Sequence, residues 1–90
     1  MPMDDHNTLI QLEGLAAKLG ILIWYEPLNN EGFVYRGGFC RVKGQDYLII
    51  DRKATTREKI HIFIDALKRY DLSSVYILPS LRKILDRADE

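Results

Sequence analysis

His61 and Asp65 stand four residues apart, a spacing that brings two side chains to one face of a helix. On such a face a carboxylate can orient an imidazole as a general base, or the two can offer ligands to a metal. A zinc site needs three or four ligands and no third accompanies this pair, so no metal or other cofactor is expected. Asp51, Arg52 and Lys53 form a charged run where a strand hands over to a helix, a place where side chains converge on ligands in sheet-and-helix folds. The bland readings of both groups are an exposed polar pair and a solvated loop. Asp51, Arg52, His61 and Asp65 are the candidate ligand-binding residues, and none is assigned a catalytic role. Cys40 is the only cysteine, which excludes an internal disulfide. A nucleophilic thiolate needs a base or an electropositive setting, whereas Arg41 beside Cys40 points to the opposite face of a strand. Cys40 is therefore expected to point into the core. Walker, dinucleotide-glycine, serine-elbow and histidine metal motifs are absent.

The elements that must position these groups follow from periodicity. Leu12, Leu15, Ala16 and Leu19 mark one face of a helix over Thr8 to Leu19, with Thr8 and Gln11 as a capping-box pair and Gly20 as its stop. Ile21 to Tyr25 is a strand apolar on both faces, ended by Pro27. Phe33 to Arg36 resumes an extended pattern that Gly37-Gly38 interrupts. Phe39 to Lys43 and Asp46 to Asp51 then flank Gly44-Gln45, read as a two-residue hairpin turn. That register places Lys43 opposite Asp46, Val42 opposite Tyr47 and Cys40 opposite Ile49.

A second helix runs from about Thr56 to Tyr70, started by a Thr55–Glu58 capping box and striped by Ile60, Phe63, Ile64 and Leu67. Val75 to Leu78 is a short extended piece, and Pro79 opens a last helix that buries Leu81, Ile84, Leu85 and Ala88. The expected fold is α+β: an N-terminal helix, a three- or four-stranded mainly antiparallel sheet, then two C-terminal helices packed on it. Ninety residues accommodate one such domain, 1–90.

Composition narrows the function classes. Hydrophobic residues at 47% and charged ones at 29% are globular values, and the longest apolar run is far too short to cross a bilayer. The acidic start lacks a secretory pattern, so a cytoplasmic location is expected. Thirteen bases balance thirteen acids, which removes the usual argument for nucleic acid. The charge is uneven: −4 over residues 1–35, +5 over 36–69 and −1 over 70–90. The basic middle segment keeps weak nucleic-acid binding open.

The stretch Gly37-Gly38-Phe39-Cys40-Arg41-Val42-Lys43-Gly44 through Ile49-Ile50-Asp51 resembles short uncharacterised bacterial proteins with a G-G-x-C-x-V-x-G…I-I-D hairpin before a helix. That resemblance implies no activity. The order of a hairpin followed by Arg57 to Lys68 also resembles the strand-helix core of small zincin-type metallopeptidases, which carry HExxH on that helix. Here those positions read Ile64-Asp65-Ala66-Leu67-Lys68, so the resemblance implies a non-catalytic relative without zinc. The leading expectation is a non-catalytic domain that binds another protein or itself. A small-molecule binder or enzyme built on Asp51, Arg52, His61 and Asp65 is the alternative.

Overall fold

The computed structural model describes residues 4–28 and 37–87. In chain order its elements are α1 (Asp5–Lys18), β1 (Leu22–Glu26), β2 (Gly37–Val42), β3 (Gln45–Asp51), α2 (Thr56–Leu67) and α3 (Pro79–Arg87). The α+β order is the expected one. The extended pattern read at Phe33 to Arg36 and the burial of Ala88 lie outside the described residues.

Helix α1 starts one turn earlier than its apolar stripe. Asp4 is the cap and accepts the Asn7 N–H at 2.7 Å, while Thr8, expected as the cap, is buried within the helix and donates its hydroxyl to the Asp4 carbonyl. A carboxylate at the cap satisfies a free N–H and meets the positive end of the helix dipole, so it supersedes the threonine. The C-terminus closes as the sequence indicates. Gly20, at φ 83°, bonds back to Ala17, and Ile21 bonds back to Ala16, the paired bonds of a Schellman motif. Ile21 is thereby delivered to the core.

The sheet has the order β1-β3-β2, and it is mixed rather than mainly antiparallel. β2 and β3 form the antiparallel hairpin, whereas β1 lies parallel to β3, pairing Leu22 with Tyr47 through Glu26 with Asp51. β1 therefore makes no hairpin with β2, and β3 takes the centre of the sheet. The hairpin turn is Lys43-Gly44, one residue earlier than expected. Both residues have positive φ, 51° and 81°, the type I′ geometry whose twist matches that of the flanking strands. Arg41 therefore faces Asp46, Cys40 faces Tyr47 and Val42 faces Gln45. No described segment after α2 joins the sheet, and residues 75–78 are not a strand.

Both α1 and α2 pack on one face of this sheet. Leu48 and Ile50 of β3 are fully buried there, with Leu12 and Ala16 of α1 and Phe63 and Leu67 of α2. The capping box of α2 is formed: the Thr55 hydroxyl accepts the Glu58 N–H at 3.1 Å and the Glu58 carboxylate accepts the Thr55 N–H at 2.9 Å. α2 ends at Leu67, three residues before the expected limit. Arg82 of α3 donates to the Leu72 and Val75 carbonyls, tying the connecting segment down while Leu81 and Leu85 enter the core.

Candidate functional site

The four residues singled out for ligand binding fall in two places. Asp51 closes β3, is 2% exposed and accepts the Lys53 N–H at 3.1 Å, so much of its role is to shape the turn into α2. Arg52 is exposed beside it; its backbone N–H bonds to Glu26 and its guanidinium donates to the Tyr25 carbonyl at 3.3 Å. His61 and Asp65 do share an exposed face of α2, in a groove of about 380 Å³ with Ile64, Lys68, Ile84 and Arg87. Neither Asp51 nor Arg52 lines that groove. Among the described residues no three His, Cys, Asp or Glu side chains come together as a metal site would require.

Cys40 does not enter the core. Side chains alternate across a strand, and Asp46, Leu48 and Ile50 of β3 point toward the helices. Tyr47 and Ile49 consequently point to the other face, and Cys40, opposite Tyr47, goes with them. The thiol is half-buried among apolar neighbours on the face that no described helix covers.

That face carries Leu22 and Trp24 from β1, Tyr47 and Ile49 from β3, and Gly38, Cys40 and Val42 from β2. Leu22 is 46% exposed, Trp24 49% and Val42 49%, which is unusual for large apolar residues grouped on one sheet. The Trp24 and Tyr47 rings meet at 5.0 Å in a tilted arrangement, one of the favoured geometries for an aromatic pair. Trp24, Cys40, Val42, Tyr47 and Ile49 enclose a hollow of about 160 Å³. Among the described residues, the charged side chains in its cross-strand rows are Glu26 and buried Asp51, both at one end. In the sequence, the alternation Leu22-x-Trp24, Cys40-x-Val42 and Tyr47-x-Ile49 carries this face, but a strand apolar on both sides reads equally as one covered on both.

On the helix side, two tyrosines act as polar pins. The Tyr25 hydroxyl donates to the Glu13 carboxylate at 2.5 Å, joining β1 to α1, and burial together with this carboxylate pushes the phenol above its ordinary range. Tyr70 donates to Asp46, which also accepts from the Arg41 guanidinium at 2.5 and 3.2 Å. Of the basic middle segment, Arg41 is held by Asp46 and Arg57 by Asp5, while Lys59 lies over the Tyr25 ring and Arg69 over the Phe39 ring. These cations are distributed over β2, α2 and the turn that follows it.

Comparison of the chain with protein-family models, curated proteins and solved structures finds no match to any of them. No helix is long and apolar enough to cross a membrane among the described residues.

Proposed function

We propose that this domain is a non-catalytic interaction module that holds another polypeptide on the sheet face that no described helix covers. One observation carries the reading: Leu22, Trp24 and Val42 are about half exposed around a hollow lined only by apolar side chains and a tyrosine. Strands apolar on both faces, such as β1 and β3, are usually covered on both, and among the described helices α1 and α2 cover one. An apolar patch rimmed by polar groups is the usual mark of a binding surface. A photo-crosslinking amino acid in place of Val42, at the rim of the hollow, tests this in cells. A discrete crosslinked product that Trp24→Asp abolishes is the expected result. No product, or one indifferent to that substitution, sinks the reading.

A second reading is favoured by the groove between α2 and α3. His61, Lys68 and Arg87 line it beside Asp65, a lining able to hold a small anionic ligand. Thermal-shift screening against small carboxylates and phosphates, compared with His61→Ala, decides it. Stabilisation that survives the substitution would remove His61 from that role.

A further inference from the structure

We propose that the occupant of the sheet face left open by the described helices is a second copy of this chain, forming a reversible twofold dimer; this rests on the interaction reading above. The argument comes from the register. β3 lies in the middle, and each of its outward residues sits in a cross-strand row: Leu22–Tyr47–Cys40 in one, Trp24–Ile49–Gly38 in the next. In both of these rows the large flank side chain lies on β1 and its partner on β2 is small. Across them the face is a ridge on one side of β3 and a trough on the other, bounded at one end by half-exposed Val42 in the Val42–Gln45 row.

Two such faces meet about a twofold axis lying between the sheets. If the axis follows β3, it exchanges the β1 and β2 sides while leaving each row in place. Trp24 of one copy then stands over Gly38 of the other, and Leu22 over Cys40, twice each. The residue without a side chain lies where the largest one must enter. A slip of one row would set Trp24 against Cys40 instead, so the pattern selects a register as well as a face. Among the described residues charge does not oppose the contact, because Asp51 is buried and Glu26 lies in an end row. The chain as a whole has a formal net charge of zero.

Size sets the strength. Three strands about 4.8 Å apart and five residues long make a patch of roughly 15 by 17 Å. That is well below the roughly 800 Å² per partner of a standard stable interface, so the dimer belongs among weak, concentration-dependent assemblies. The aromatic anchor in a fitted seat supplies most of its specificity.

Sedimentation equilibrium of the whole chain is the test, from about 20 µM to about 1 mM, where weak assemblies of this kind exchange. The weight-average mass should climb from 10.5 kDa toward twice that value. Trp24→Ser removes the ridge and Gly38→Leu fills the trough; each should weaken association about tenfold or more. Circular dichroism checks that both remain folded, and Trp24→Ser alone suffices if Gly38→Leu does not. A mixed sample of isotope-labelled and unlabelled chains should show contacts from the Trp24 indole to Gly38 across copies. A monomer at every concentration overturns the second copy, as does a dimer indifferent to Trp24→Ser. If the Val42 crosslinker then captures a different chain, the interaction reading stands without the dimer; if it captures none, both fall.

Discussion

Tyr70, just beyond the end of α2, donates its hydroxyl to Asp46 near the start of β3, and the same carboxylate takes two bonds from Arg41. Arg41, and then the Tyr70 hydroxyl, hold the Asp46 carboxyl below its ordinary range. A carboxyl more acidic in the folded than in the unfolded chain contributes stability that is present above about pH 4 and lost as pH falls through the folded value. Burial and the same carboxylate push Tyr70 up to about 12, so its contribution is present below about pH 10 and lost as pH rises through the folded value. Denaturant titrations across pH should show a loss on both sides. Asp46→Asn should flatten the acid limb and Tyr70→Phe the alkaline one; unchanged limbs would mean the triad does not control them.

Gly37 opens β2 at φ 143°, and a Cβ there would lie 2.2 Å from the Ile49 carbonyl oxygen and 2.9 Å from the Ile50 Cα. Both obstacles are backbone of the central strand, which cannot give way without breaking the ladder. Gly37→Ala should cost about 3 kcal/mol or more. Gly44→Ala, at φ 81° but with open space around it, should cost roughly 1 kcal/mol. The comparison of the two midpoints in urea separates clash from backbone preference.

The capping box of α2 predicts a smaller effect. Thr55→Ala leaves the Glu58 N–H without its acceptor and should destabilise the protein by about 1 kcal/mol, with Thr55→Ser close to neutral. Equal losses for the two substitutions in thermal melts would place the threonine's importance in its methyl group instead.

Phe63 is fully buried at the centre of α2's apolar stripe. Truncation to alanine removes its contacts and leaves a cavity, for a loss of about 3–5 kcal/mol. For a small domain of ordinary stability that is most of the folding free energy, so Phe63→Leu, at a lower cost, is the variant to measure if Phe63→Ala fails to fold.

Cys40, half-buried on the face that no described helix covers, should react with an aromatic disulfide reagent in the native protein without a preceding unfolding step. Labelling should therefore be insensitive to stabilising co-solvents, and slower at concentrations where the face is occupied. A rate that tracks global unfolding would return the thiol to the core.

The local structure was legible in the chain because local forces set it. The Thr55–Glu58 box, the left-handed stop at Gly20, Pro79 at the start of α3 and the stripe of Ile60, Phe63, Ile64 and Leu67 each depend on residues within two turns of one another. What the sequence left open concerns partners distant along the chain. Whether Lys43-Gly44 or Gly44-Gln45 makes the turn changes which residues face each other, and the strands' twist selects the former. The parallel placement of β1 beside β3 depends on where the chain after Pro27 leads, which no spacing in β1 itself encodes. The face of Cys40 depends on both, since a side chain's direction is fixed by alternation but its surroundings by which side the helices choose. His61 and Asp65 share a helical face by their spacing alone; that Asp51 and Arg52 lie outside their groove is a consequence of tertiary packing.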